Sequence, residues 1–432
     1  MDRQLYSSEE KPETALLVGV QHARHPAWEV EDHLDELTLL CQTAGAVVVD
    51  RLVCRLGRVN PGLYVGSGKA EEIADRVRAD GISTVVFDDD LSPVQGRNLE
   101  EILGTKVIDR TQVILHIFAQ HARTREGRMQ VELAQLEYLL PRLRRMWTHL
   151  ERQKGGMGMH GPGEKQLELD RRRILERLDR FRVDLQDVRR HRAEQRRGRR
   201  RHGWGMVSLV GYTNAGKSTL LNSLTGADVL AYDKLFATLD PTTRQLRLPN
   251  HQQVLLTDTV GFIRKLPHGL VESFKATLEE VIHADLLLHV VDASHPRVED
   301  QMAAVDGVLA ELGVQDKPIL YAFNKIDQPE ARARAAALAA GHHPSICVSG
   351  LRGDGLEELR AALADALRDH LVRATVSIPL AEAKLLAAIR SGATVFSTEY
   401  DGDRALIQGA FPPRLWGACA AYAISDTEEN RE

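Results

Sequence analysis

The spacing of apolar residues changes along the chain, and each change predicts a different kind of element. From Thr14 to about Ile108, short apolar runs at residues 15–20, 46–49 and 85–87 alternate with helically spaced stretches at 29–41 and 69–79. That alternation predicts a small N-terminal α/β domain. From Met129 the period shifts: Met129, Leu133, Leu136, Leu140, Leu143, Trp147 and Leu150 recur at alternating steps of four and three, and so do Ile174, Leu178, Phe181, Leu185 and Val188. Two heptad-patterned helices joined by a short link predict an antiparallel coiled-coil hairpin, with Pro141 a candidate kink in the first. Beyond Trp204 compact apolar runs return at 206–210, 254–256 and 319–323. Strands and helices then alternate to about His370, as expected of a mostly parallel sheet covered on both faces. From Ala374 a strand, a helix over 380–390 and strands over 393–400 and 404–409 predict a small C-terminal α+β domain. The expected class is therefore α/β multidomain, divided at 1–126, 127–203, 204–371 and 372–432, with a polar tail after Asp426 that frays.

Length and charge add to this picture. The 432 residues leave room for two to four domains. The polar amino end, MDRQLYSSEE, and the lack of any apolar run of membrane-spanning length predict neither a signal peptide nor an anchor, and a cytoplasmic protein. Cys41, Cys54, Cys347 and Cys419 have no ligand spacing and read as reduced, packed thiols. A net charge of -5 hides an asymmetry, because residues 141–201 hold twenty Lys and Arg against nine Asp and Glu. Such a basic excess is an electrostatic footprint for phosphate backbones, although long helices also carry charge runs as solvated faces. The link at 155–163, GGMGMHGPG, has five glycines, more than a hairpin turn requires. With arms of about 22 to 28 residues it stands roughly 30 to 40 Å from the base. A loose tip is the plain reading. The basic arms and the string EKQLELDRRR just after it fit a probe for a cavity lined with RNA. The densely basic stretch 189–201 reads as an exposed helix end or linker.

Chemistry concentrates in the third segment. Between the run 206–210 and a helical pattern at 218–224, closed by Gly226, stands GYTNAGKST. Gly211, four residues, Gly216, Lys217 and Ser218 have the spacing of a phosphate loop in the strand-then-helix setting it needs. The backbone N–H groups of Tyr212, Thr213, Asn214, Ala215 and Gly216 and a helix N-terminus can then converge on nucleotide phosphates. Lys217 can reach the β- and γ-phosphates, and the Ser218 hydroxyl can ligate Mg²⁺. In DTVG, Asp258 ends an apolar run where a carboxylate can hold Mg²⁺ through water, Thr259 and Val260 follow, and the Gly261 N–H can bond the γ-phosphate. Lys217 and Gly261 are candidate catalytic groups.

The string NKID comprises Asn324, Lys325, Ile326 and Asp327. The Asp327 carboxylate can accept two N–H bonds that guanine offers and adenine does not, while the stem of Lys325 packs along the base. Backbone after Ser349, at Gly350 and Leu351, can bond the guanine carbonyl oxygen. NKID alone is matched by ordinary strand-end turns. The order and setting of the strings predict a site for GTP and GDP. Phe262 stands where a Ras-like switch places a water-orienting glutamine, which predicts slow intrinsic hydrolysis completed by a partner or by a bound cation, K⁺ near Asn214 being the candidate. The switch itself is expected over 236–243 and 260–270.

Two weaker features take plainer readings. Gly66-Ser67-Gly68-Lys69 lacks the first glycine and the following hydroxyl of a phosphate loop, and reads as a turn entering a helix. Asp88, Asp89 and Asp90 precede the capping pair Ser92-Pro93, so loop chemistry explains them better than a metal.

GYTNAGKST, FATLDPTTR from Phe236, DTVGF, NKID and GPGEKQLELDRRR together resemble HflX, a GTPase family associated with translation. YVGSGKAEE at Tyr64, FDDDLSPVQGRNLE at Phe87 and the block IDRTQVILHIFAQHARTREGRMQVELAQLEYLLPRL from Ile108 extend the resemblance over almost the whole chain. It implies a monomeric factor that binds the large ribosomal subunit and its RNA, inserts the hairpin tip toward the peptidyl-transferase region, and separates stalled ribosomes when loaded with GTP, with no DNA partner. It also assigns Thr238, within Phe236, Ala237, Thr238, Leu239 and Asp240, as the switch threonine that joins Ser218 on Mg²⁺, and so adds it to Lys217 and Gly261 as a candidate catalytic group. The residues alone leave Thr238, Thr242 and Thr243 open. This chain has Ser349-Gly350 where the family has Ser-Ala, and it carries His160 and Lys165 at the tip where Arg and a small hydroxyl residue are common. A ribosome-assembly GTPase acting on immature large subunits and a nucleotide-regulated scaffold pairing through its heptads are the alternative functions.

Overall fold

The apolar runs near the amino end become β1 (Thr14–His22), β2 (Val47–Leu56), β3 (Thr84–Phe87) and β4 (Lys106–Asp109). They form an all-parallel sheet in the order β2-β1-β3-β4. In this computed structural model, residues 12–22, 26–146, 162–201, 204–226, 235–265, 278–368 and 371–424 are described. Leu16, Leu17, Val18, Val85, Val86 and Phe87 are all buried, as strands covered on both faces require. Strand β2 runs well past the expected 46–49, because an edge strand tolerates outward Arg51 and inward Asp50 that interrupt its apolar pattern.

The helices of this region are α1 (Ala27–Thr43), α2 (Ser67–Asp80), α3 (Pro93–Leu103) and α4 (Arg110–His121). The Gly66-Ser67-Gly68-Lys69 string is the entry to α2, with extended Gly66 as its cap. Ser92 and Gln95 close a capping box on α3. The acidic triplet holds side chains that the sequence did not connect to it. Asp88 pairs at 2.8 Å with buried Arg110, which also reaches Glu36, and Asp90 accepts from Thr111.

Helix α5 (Arg125–Met146) continues through Pro141 and packs against α3 and α4. Met129 and Leu133 are buried there, so part of the heptad stripe is spent on the N-terminal sheet domain. Helix α6 (Pro162–Arg201) is 40 residues long, which corrects the expected arm length. It begins inside the predicted link, since proline suits a first turn, and takes in 189–201 without a break because arginine is a good helix former. Leu178 and Leu185 are buried, Arg177 pairs with Glu132, and Arg182 donates to Glu137 at 2.9 Å. Trp147, Leu150, residues 155–161 of the link and His160 lie outside the described residues.

Strand β5 (Gly205–Val210) and helix α7 (Lys217–Thr225) lead a second sheet. It continues with β6 (Thr242–Arg247), β7 (Gln253–Asp258), α8 (Glu279–His283), β8 (Leu286–Asp292) and α9 (Val298–Glu311). Strand β9 (Ile319–Asn324), α10 (Pro329–Gly341), β10 (Ser345–Cys347) and α11 (Leu356–Ala366) complete it. Its order is β10-β9-β8-β5-β7-β6, with β6 antiparallel to β7 and the rest parallel. The carboxyl ends of β5, β7 and β9 therefore lie along one edge, where such sheets bind ligands. The expected switch segment 236–243 overlaps β6, whose first residues Thr242 and Thr243 pair with Asp258 and Thr257. Residues 266–270 of the second switch segment lie outside the described residues.

The carboxyl end forms β11 (Val372–Pro379), α12 (Ala383–Gly392), β12 (Thr394–Asp401), β13 (Arg404–Phe411), α13 (Pro413–Cys419) and β14 (Ala423–Ile424). Its antiparallel sheet has the order β12-β13-β11-β14. Helix α13 and strand β14 escaped the sequence reading because seven and two residues hold too few repeats of a helical or strand pattern to show one. The chain divides into two compact units, with a boundary between Leu185 and Gln186 within α6. Among the described residues no helix is long and apolar enough to cross a membrane.

Candidate functional site

The loop after β5 works only as nearly bare backbone. A Cβ at Gly211 would lie 2.2 Å from the Val290 carbonyl oxygen, and one at Gly216, where φ is +89°, would lie 2.4 Å from Asn324 Nδ2. Asn214 takes the left-handed conformation that asparagine tolerates better than most residues. Lys217 opens α7 almost wholly buried and donates from Nζ to the carbonyls of Gly211 at 3.1 Å and Tyr212 at 2.8 Å. Burial pushes its pKa down to about 8, with nearby Asp258 opposing the shift.

Three oxygen donors from separate elements meet beside it. Ser218 Oγ shares a 2.9 Å hydrogen bond with Thr238 Oγ1 and donates to Asp258 Oδ2 at 2.6 Å. Of the three threonines left open by the residues, Thr238 is the one brought to Ser218, whereas Thr243 bonds Thr257 inside the sheet. Burial raises the Asp258 carboxyl pKa, against the pull of Lys217 and the bond from Ser218. Two hydroxyls and a carboxylate are the hard donors that Mg²⁺ takes. Asp258 Oδ1 is buried without a hydrogen-bond partner, so this group of residues fits a divalent cation.

A cavity over the loop is lined by Thr213, Asn214, Gly216, Lys217, Ser218, Thr219, Phe236, Ala237, Thr238, Thr259 and Gly261. Thr219 was not singled out from the sequence, although the second hydroxyl of the KST string is its signal. Gly261 packs so closely that a Cβ would stand 2.7 Å from Thr213 Cα and 3.0 Å from Lys217 Nζ. Phe262 does not line the cavity. Its ring is buried, and its backbone is stitched to the loop, N–H to the Gly211 carbonyl at 3.1 Å and carbonyl to the Thr213 N–H at 2.7 Å. The Phe236 N–H donates to Thr213 Oγ1 at 3.1 Å, and Thr259 Oγ1 to the Leu209 carbonyl at 2.6 Å. Tyr212, Ala215, Leu239 and Val260 are buried, and Asp240 is half-buried.

At the other end of the site, Asn324 acts as a strut. Its Nδ2 donates to the Ala215 carbonyl and its Oδ1 accepts from the Gly350 N–H, both at 2.9 Å. Lys325, at φ +66°, pairs with Asp292 at 2.6 Å, a partner that the sequence did not flag. The Asp327 carboxylate accepts from Ser349 Oγ at 2.7 Å, and Ser223 Oγ holds the Gly350 carbonyl at 2.5 Å. Ile326 donates its N–H to the Val348 carbonyl, and Leu351 is mostly exposed.

With its phosphate-loop residues, hydroxyl-carboxylate group and strand-end NKID all on the carboxyl edge of one sheet, the second unit is that of a P-loop GTP-binding protein. Three families match along the chain: GTP-binding GTPase N-terminal over 31–119, GTP-binding GTPase Middle Region over 121–199, and 50S ribosome-binding GTPase over 206–325. The GTPase HflX of Lacrimispora saccharolytica is 47% identical over 425 residues, covering 98% of this chain and 100% of that protein. The GTPase HflX of Magnetococcus marinus is 46% identical, covering 96% of each, and that of Escherichia coli K12 is 46% identical, covering 86% of this chain and 87% of that protein. A solved GTP-binding protein from Sulfolobus solfataricus in complex with GDP is 25% identical, covering 82% of this chain and 98% of that one, with a TM-score of 0.43. The chain belongs to the HflX family of GTPases; it binds GTP and hydrolyses it to GDP and phosphate.

Proposed function

We propose that this GTPase engages the large ribosomal subunit and, in its GTP state, separates stalled or stressed ribosomes into subunits, with hydrolysis resetting the switch in the cytoplasm. The observation that carries this reading is α6. Its Arg-rich last turns end at Arg201, and the strand that feeds the phosphate loop starts at Gly205, so a cationic arm suited to RNA continues directly into the switch.

Within the site, Lys217 and the N–H groups of 211–217 hold the phosphates, Gly261 bonds the γ-phosphate, and Asp327 reads guanine. Ser218 and Thr238 would ligate Mg²⁺ directly and Asp258 through water. When bound, Mg²⁺ neutralises charge on the β- and γ-oxygens. Because Phe262 is buried, it cannot orient the attacking water, so either a ribosomal contact or K⁺ beside Asn214 completes the catalytic geometry. The test is gradient sedimentation of intact ribosomes with the chain plus GTP, a non-hydrolysable analogue or GDP. Subunits should part with GTP and the analogue and stay joined with GDP. Ribosomes left intact under every nucleotide would overturn the reading, and binding confined to immature large subunits would favour an assembly role.

A further inference from the structure

The C-terminal domain has a βαββαβ order and a sheet with the spatial order fourth, first, third, second strand, the ferredoxin-like arrangement. Both helices cover one face. Leu385, Leu386 and Ile389 of α12 and Leu415, Trp416 and Cys419 of α13 pack in one cluster with Val376, Ile378, Ala405 and Ile407. Strand register places the partners Arg373 and Ala410, Thr375 and Gln408, and Ser397 and Gln408 on the opposite face.

That face carries an aromatic ring largely open to solvent. Phe396 sits at the register shift between Val395 and Ser397 and is 56% exposed. The Arg373 guanidinium lies over its ring at 6.0 Å, which puts both side chains on the helix-free side. Charge is divided along the strands. Glu399 and Asp401 lie toward the β12–β13 turn with Arg404, whereas the end around Phe396 presents Arg373, Thr375 and Gln408 and, among the described residues of these strands, no acid.

We propose that this uncovered face binds single-stranded RNA, with a base stacked on Phe396, the Arg373 guanidinium on the adjoining phosphate, and Gln408 on a base edge. An open antiparallel sheet with an exposed aromatic beside a guanidinium offers stacking to any base and charge to the backbone. The carboxylates of an acidic protein would use Arg373 but find no attraction in the negative face of the ring, whereas a base stacks on it. The choice of RNA over DNA rests on the ribosomal reading above.

The test uses the full chain loaded with GDP and a fluorescein-labelled single-stranded oligouridylate, read by fluorescence anisotropy. Phe396→Ala should weaken binding about tenfold, the loss of one stacked base, while Phe396→Trp retains it. Arg373→Ala should also weaken it and flatten the salt dependence. GDP affinity, measured on the same samples, should not change, which separates loss of contact from loss of fold. With 4-thiouridine in the probe, ultraviolet crosslinks should map to β11, β12 and β13. Crosslinks confined to α6 with affinity unaltered in Phe396→Ala would overturn the proposal. So would equal binding of an oligodeoxythymidylate, or displacement of the RNA by polyglutamate at the same concentration as by unlabelled RNA. The outcomes separate from those of sedimentation. Crosslinking to this sheet by a chain that leaves ribosomes joined sinks the splitting reading alone, whereas ribosome separation unaffected by Phe396→Ala, with no crosslink to the sheet, sinks this one alone.

Discussion

Lys217 holds its charge where burial penalises it, and that penalty has a sign. Its folded pKa of about 8 lies below the ordinary 10.5. Below about pH 8 both states are protonated and the folded chain bears the whole cost. As pH climbs toward 10.5 the unfolded chain binds the extra proton, so stability rises. The nucleotide-free protein should therefore gain on the order of 3 kcal/mol from this group over that window. Urea melts of Lys217→Met should lack that part of the rise and start more stable at pH 7, while GTP binding is lost. Parallel curves for the two proteins would rule this out.

Asp327→Asn keeps an oxygen for the Ser349 hydroxyl but exchanges an acceptor for a donor facing the base. Preference for GTP over ATP should fall by about a hundredfold or more in competition binding. Gly261→Ala should abolish hydrolysis, because its Cβ would collide with Thr213 backbone. A single-turnover assay that shows unchanged hydrolysis would refute that. Gly211, Gly216, Lys217 and Asp327 stood out in the sequence as candidates because their chemistry admits few substitutes at fixed spacing. The Asn324 strut and the Lys325–Asp292 pair did not, since their partners are distant in sequence and meet only once β5, β8 and β9 lie side by side.

Among the elements, periodicity predicted the buried strands well, since β1, β3, β5 and β9 are short apolar runs between helices. It failed where one side meets solvent. Strand β2 is an edge that admits polar residues, and α6 carries so much charge that its amino end reads as part of the link and its carboxyl end as either a helix end or a linker. Its buried leucines are what tie that charged helix down. Leu178→Ala, at a side chain only 2% exposed, should cost roughly 2 to 4 kcal/mol of local stability. Hydrogen exchange across 170–185 should then quicken relative to the sheet of β5. Arg177→Ala, which removes a solvent-exposed pair with Glu132, should change exchange little. Equal effects of the two substitutions would mean that charge, not packing, seats the helix.

For the whole molecule, a Phe262 ring that is buried and does not line the cavity leads to the expectation that turnover is conditional. Hydrolysis by the isolated chain should be slow, and it should rise on adding ribosomes or on replacing sodium by potassium. A fast rate indifferent to both would contradict this, as phosphate release would show directly. The β6–β7 hairpin gives the second unit a further property. At one end Thr242 faces Asp258; at the other, the turn holds the C-terminal domain, where Thr394 donates to the Asn250 carbonyl at 2.5 Å and Arg247 to the Ser391 carbonyl at 2.9 Å. A six-residue antiparallel ladder spans about 20 Å and bends or twists far more readily than it stretches. Like a stiff oar pivoting in its rowlock, it would carry a small tilt at the Asp258 carboxylate to the domain at its far tip.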